Sequence, residues 1–313
     1  MSIGATPGVD LSGDPWRQRK ERVVKWVLFS AAAVTLAVSA GFVIALTGKA
    51  LEFLSNIDLG LLWERGWFPR RGLFDVRTLV VGTLMVTGIA MAVATSLGLA
   101  SAIYLAEYAR PRTRRILKPI LEVLAGIPSI VLGFFALEWI SPNLVQTVFS
   151  DAGTFNLLSA GIAVGVLITP LVATISEDAM RAVPDDLREA SYGLGARKVT
   201  TSLRVVFPAA ISGIVASLIL AASRAIGETM VVFIAAAASG GSLYTVDPLE
   251  AGQTMATAIA SLATGSDQVA AGGGQDAGQA FNSLYFVGLL LFAFTLGLNM
   301  IGDRFVQRIR EAY

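Results

Sequence analysis

Residues 221–229 read ASRAIGETM, and they sit inside a long apolar run. Arg224 and Glu228 stand four residues apart within it. A charge at the centre of a bilayer costs about 2.5–3.5 kcal/mol on insertion scales, so neither side chain is expected to face lipid. Positions i and i+4 share one face of a continuous helix. The spacing therefore predicts Arg224 and Glu228 as a pair on the inner face of a membrane helix. Two roles stay open. The pair neutralises itself and pins one helix to another, or it lines a solute path. Intramembrane ions commonly mark such paths, and a planar guanidinium suits phosphate-like or carboxylate groups. Ala221, Ala222, Ser223, Ala225 and Gly227 leave room for close helix approach or a cavity.

The rest of the chain carries the same signature. Of 313 residues 54% are hydrophobic and only 15% charged, with a mean hydropathy of +0.67, where a soluble domain has about 25% charged residues. This composition predicts an all-α integral membrane protein. Spans of roughly 20 apolar residues are read at Val23–Thr47, Leu79–Tyr108, Ile116–Ile140, Leu157–Ile175, Ala209–Ala238 and Phe281–Ile301. They divide the chain into an N-terminal segment 1–22, a six-helix domain 23–301 and a tail 302–313. The first run is too long for a signal peptide and is read as a retained helix. Residues 1–15 have little apolar content and are expected to be mobile. With no cysteine and no histidine, thiolate nucleophiles, disulfides and His-based chemistry are excluded. No metal site is expected.

Lysine and arginine set the orientation. Residues 1–25 carry five, 109–118 five, 176–208 five and the tail after Ile301 three, whereas 141–156 and 239–280 carry none. Both ends are expected in the cytoplasm. Segment 48–78 dissents, with five basic residues diluted by four acids. Its Trp63, Trp67 and Phe68 are expected to lie against the headgroups. Segment 270–279, AAGGGQDAGQ, reads as a flexible connection.

Two further stretches carry structure. In LAGIPSIVLGFF, 124–135, Pro128 removes a helix hydrogen bond and Gly126 adds slack, which predicts a kink. That kink serves packing or brings Ser129 to a pore. Pro170 is a weaker case of the same kind, and Gly161 with Gly165 forms a small-residue packing face. The polar segment 186–210, DLREASYGLGARKVTTSLRVVFPAA, reads as a short helix opening at Pro184, Asp185 and Asp186, a glycine break, and a second helix from Ala196 to Pro208. Such a knob either joins two spans or docks into a partner's groove. The lysine of GLGARKVT, 193–200, is not adjacent to Gly195, and Val199 stands directly after it where Ser or Thr is required, so this stretch is not a phosphate-binding loop of the ATPase kind.

The spacing in that segment resembles the EAA loop of ABC import permeases: Glu189, Ala190 and Ser191, three residues, Gly195, nine residues, then Val205, Phe207 and Pro208. Ser, Val and Phe replace the family's second Ala, Ile and Leu. The segments VVGTLMVT, AIYLAEYA, LEVLAGIPSIVLGFFAL and SRAIGETMVV narrow the resemblance to phosphate-specific ABC importer permeases of the PstC type, over most of residues 79–238. That resemblance implies the type I (MetI-like) permease fold and a coupling loop at about 176–208. It implies a PstA-type permease partner, two PstB-type ATPases and a separate phosphate-binding protein. ATP is bound by those partners and the chain needs no cofactor of its own. It implies a bacterial cytoplasmic (inner) membrane location, and that Arg224 and Glu228 belong to the anion route. Nothing points to nucleic acid. An ABC permease for molybdate, sulfate or another small solute stays open, as does a gradient-driven transporter using Glu228 as its carboxylate. Glu107, Glu122 and Glu138 lack a nucleophile and base for hydrolysis. Glu122 with Lys118 is expected to form a surface pair.

Overall fold

The computed structural model describes residues 15–63, 66–238, 240–265 and 275–310. It separates into two units, residues 1–48 and 49–313. The first helix, α1 (Pro15–Ser55), begins in one and ends in the other. Over its N-terminal part the apolar side chains are exposed all along, from Val23 through Phe29 and Leu36 to Phe42. A helix whose solvent is lipid has no reason to hide one face.

In the second unit, the segment after α1 forms a short antiparallel hairpin, β1 (Trp67–Phe68) and β2 (Leu73–Phe74). Trp67 also exchanges two backbone hydrogen bonds with Ser242, at 2.8 and 2.9 Å. Trp67 is fully buried and packs edge-on to Phe74, with Phe53 beyond it. The expected headgroup position therefore fails for Trp67, which is a core residue. Trp63 remains exposed.

Helix α2 (Val76–Ile103) opens on Asp75, whose carboxylate accepts from Arg77 N and Thr78 Oγ1. It closes in a wide π turn, Tyr104–Tyr108. Helix α3 (Pro111–Ala125) and helix α4 (Ser129–Val148) follow, set 88° apart. Pro128 restarts the chain, because proline has no N–H to give and drives Ile127 out of the helical region. The expected single span Ile116–Ile140 is thus two helices. Helix α5 (Leu157–Arg181) runs unbroken through Pro170. Helices α6 (Asp185–Gly193) and α7 (Lys198–Ala209) make the polar knob. Helix α8 (Ile211–Ile226) leaves α7 at 70°. The expected span Ala209–Ala238 breaks again at Gly227–Thr229 before the short α9 (Met230–Ala235). After a segment without lysine or arginine comes α10 (Met255–Ala263), which the sequence alone does not disclose because nine residues cannot span a bilayer. Helix α11 (Gln275–Arg310) ends the described chain. Of the glycine-rich stretch 270–279, residues 270–274 lie outside the described residues, as do 1–14.

Among the described residues four helices are long and apolar enough to cross a membrane, and counting each of the two bent pairs as one span gives six. At the centre α2 lies along α5. A Cβ on Gly161 would fall 2.7 Å from Ile89, and one on Gly165 would fall 2.9 Å from Ala90 O. Between apolar helices in lipid, association depends on such close contact rather than on expulsion of water. The main core joins α2, α4, α5, α8 and α9 through Val86, Ala136, Val164, Ala221 and Val231. Ser176 and Ser217 add a buried hydroxyl contact of 2.8 Å between α5 and α8. A second cluster, from Phe53 to Val287, holds the hairpin, α10 and α11 together.

Candidate translocation site and coupling loop

Arg224 lies in the last turn of α8 and is exposed on the surface of the isolated chain. Glu228 lies in the break, half-buried, and its Oε1 accepts from Val231 N at 3.4 Å at the start of α9. The expectation of one shared helical face is overturned. The helix ends at Ile226, and among the described residues no ion pair within 4 Å joins Arg224 to any acid. The neighbouring Ser223 hydroxyl donates to Asn299 Oδ1 at 2.7 Å, fixing this turn of α8 to α11.

The second break lies beside the first. Gly126 ends α3, Pro128 precedes α4, and Ser129 is the half-buried first residue of α4. One turn on, Gly133 packs against α9, where a Cβ would meet Ile234 Cβ and Met230 O at 3.1 Å. Both interrupted helices therefore restart side by side. Backbone freed by a break at membrane depth is tolerated where protein or a cavity satisfies it.

The knob is built as a helix, a turn and a helix. Pro184 stands just before α6, and Asp185 with Asp186 occupies its positive first turn. Glu189 and Ala190 are exposed. Ser191 Oγ meets the buried Thr201 Oγ1 at 2.8 Å and so ties α6 to α7. Gly195 takes φ +78°, a left-handed value that a side chain disfavours. Val205, Phe207 and Pro208 are half-buried, and Phe207 packs on the cluster of Ala102, Met180, Val183, Val206, Ala210 and Ile214. Leu187, Tyr192, Leu194 and Val199 are exposed, Leu194 at 90%.

Three anchors were not legible in the sequence. Arg188 reaches Glu107, 81 residues away, at 3.0 Å. Glu177, fully buried on α5, is held by Arg114 and, at 3.3 Å, by Lys118. Lys118 also contacts Asp178 at 2.7 Å. The expected Lys118–Glu122 pair is not formed, because α3 turns Lys118 toward the end of α5. Only the excess of base after α2 and of acid at the end of α5 hinted at these contacts.

The sequence model of the family described as "Binding-protein-dependent transport system inner membrane component" matches residues 94–311. The chain is 33% identical over 222 residues to a probable ABC transporter permease protein, YqgH, of Bacillus subtilis, covering 69% of this chain and 71% of that one. It is 29% identical to the phosphate transport system permease protein PstC of Pasteurella multocida, covering 83% of both. A shorter match, 39% identical over 135 residues, joins it to the phosphate transport system permease protein PstA 1 of Mycobacterium tuberculosis, covering 42% and 41%. Two solved structures share the fold. One is an inward-facing MetNI methionine ABC transporter (TM-score 0.53, 20% identity, 73% of this chain and 93% of that one). The other is a bacterial ABC transporter that imports the acidic polysaccharide alginate (TM-score 0.59, 14% identity, 92% and 99%).

Proposed function

The chain belongs to the family of binding-protein-dependent transport system inner membrane components, and on that premise we propose that it is a permease subunit of an ATP-driven importer of inorganic phosphate. One observation carries the reading. A relative named for phosphate transport aligns over 83% of both chains, and the aligned family region includes an intramembrane arginine, Arg224, with no acid paired to it among the described residues. An anion crossing lipid needs a cation of this kind, held where water is scarce.

In the proposed complex a PstA-type permease covers the face that carries Arg224, and the path lies between the two. Arg224 gives phosphate a transient partner. Glu228 acts at the hinge before α9, and Ser129 offers a hydroxyl at the neighbouring hinge. Segment Glu189–Pro208 seats on one of two PstB-type ATPases, with Leu187, Tyr192, Leu194 and Val199 as its apolar contact. Closure of the ATPases pushes this segment and turns the cavity outward, where a phosphate-binding protein delivers the anion. Both termini lie in the cytoplasm of a bacterial cell. ATP is bound by the partner subunits, and the chain itself carries no cofactor.

The test is uptake of radiolabelled phosphate into proteoliposomes holding the full complex, with ATP inside, binding protein outside, and sulfate and molybdate as competitors. ATP-dependent uptake that ignores both competitors is expected. Competition by sulfate or molybdate would move the substrate to another oxyanion, and uptake without ATP would remove the ABC reading.

A further inference from the structure

Arg188 spends all five of its N–H donors at one place. Nη1 donates to Val183 O at 2.7 Å and to Asp185 Oδ1 at 3.1 Å. Nη2 donates to Met180 O at 2.9 Å and to Glu107 Oε1 at 3.0 Å, and Nε donates to the same oxygen at 3.3 Å. A guanidinium has no sixth donor to give. The Arg188–Glu107 pair is nearly dry, with the Arg188 side chain 15% exposed and that of Glu107 only 4%, while Asp185 faces solvent.

The partners lie on three elements. Arg188 itself belongs to α6. Met180 and Val183 carry carbonyls at the C-terminal end of α5, where a helix leaves acceptors unused and favours a cation. Glu107 sits in the π turn that closes α2. Around the ion pair, Ala102 of α2, Met180 and Val183 at the end of α5, Val206 of α7, and Ala210 and Ile214 where α8 begins form one buried cluster. Arg188 itself makes its polar contacts to α2, to the end of α5 and to Asp185 of its own helix, and none to α8. The covalent route from α6 into the membrane is different. It passes through Gly195, α7 and the 70° bend before α8. A chain that turns so sharply is a poor rod.

We infer that the Arg188–Glu107 joint is where displacement of α6 enters the membrane, through α2 and α5 rather than along the chain into α8. Arg188 and Glu107 are then positioning residues for transport. They touch no solute and act through the helices they connect. The inference rests on the reading above that α6 seats on an ATPase. It adds which helices receive the push.

The experiment uses the full complex in proteoliposomes and compares Glu107→Gln and Arg188→Lys with the unmodified protein. Phosphate uptake and ATP hydrolysis are measured together. The ratio of phosphate taken up to ATP hydrolysed is expected to fall about tenfold, within the range by which linking residues change coupling. Hydrolysis stimulated by the binding protein should persist. Glu107→Asp, which keeps the charge, should recover most of the ratio. Because the chain has no cysteine, Asp186→Cys and Tyr104→Cys also place one spin label on α6 and one on the π turn. Their separation should stay fixed between nucleotide-free and ATP-bound states, and should become nucleotide-dependent when Glu107→Gln is added. Parallel loss of uptake and hydrolysis, an unchanged ratio, or a label distance that already varies in the unmodified joint would each overturn the inference. Absence of ATP-driven uptake in the unmodified complex would instead sink the functional reading, and that outcome is told apart by its wild-type control.

Discussion

Arg224 and Glu228 show what single residues disclose and conceal. Their presence in an apolar run was enough to mark the segment, because few structures tolerate a charge there without a use for it. Their relation was not legible. The i,i+4 rule holds only in a continuous helix, and the chain breaks at Gly227–Thr229. Glycine is a weak breaker from sequence alone, costing about 1 kcal/mol in a helix interior. Two outcomes follow. Arg224→Gln should reduce phosphate uptake at least about tenfold, a loss of roughly 1.4 kcal/mol, while the complex still assembles on a sizing column. In a double-mutant cycle on the uptake rate, Arg224→Gln and Glu228→Gln should combine independently, with a coupling below about 0.5 kcal/mol. A coupling several times larger would mean that the two charges meet during transport. Ser191 teaches the converse. It departs from the family's alanine, and its hydroxyl contacts Thr201 at 2.8 Å. Ser191→Ala should cost about 1–3 kcal/mol in thermal unfolding, by stranding a buried hydroxyl. Adding Thr201→Val should return much of it, since removing both partners of a buried bond is nearly neutral.

Among elements, legibility followed length and sterics. The runs that became α2, α5 and α11 were read correctly, because an apolar stretch of that length has one stable solution in lipid. The packing of α2 on α5 was also foreshadowed by Gly161 and Gly165. Their missing side chains admit Ile89, Val93 and the Ala90 carbonyl. Gly165→Leu should therefore destabilise the purified protein by about 1–3 kcal/mol or more, the range for overpacking a full interface. A melting curve in detergent would show it as a lower midpoint, and an unchanged midpoint would mean that the helices separate more easily than their contact suggests. The bent pairs were harder. Pro128 announced an irregularity, but a proline kink and an 88° turn look alike in one dimension. The direction is set by contacts that lie far away in the sequence, namely Arg114 and Lys118 on Glu177. Helix α10 escaped for a different reason. Its apolar run is too short to span and is buried only because α2 and α11 stand beside it.

At the scale of the whole molecule the question is which side faces the cytoplasm. Counts of lysine and arginine lead to the expectation that 109–118 and 176–208 lie inside, with 48–78 as the exception. The fold explains how that exception is accommodated. Trp67 is laddered to Ser242, so the basic hairpin lies at the same end as the Ser242 segment, which carries no base. Its cations are not free charges either. Arg77 sits 3.9 Å over the Tyr244 ring and Arg71 5.4 Å from the Phe68 ring. The dense run at 109–118, with five basic residues, lies at the start of α3, and density of lysine and arginine near a span is what sets orientation. Because the native chain offers no thiol, single cysteines report the answer without background. Asp151→Cys and Arg71→Cys should react with a membrane-impermeant maleimide added to intact cells. Asp186→Cys should react only after the membrane is opened. Labelling of Arg71→Cys solely from the inside would separate the hairpin from the Ser242 segment and contradict the fold. Labelling of Asp186→Cys from outside would invert the molecule and leave the exposed apolar group of α6 with no ATPase to meet.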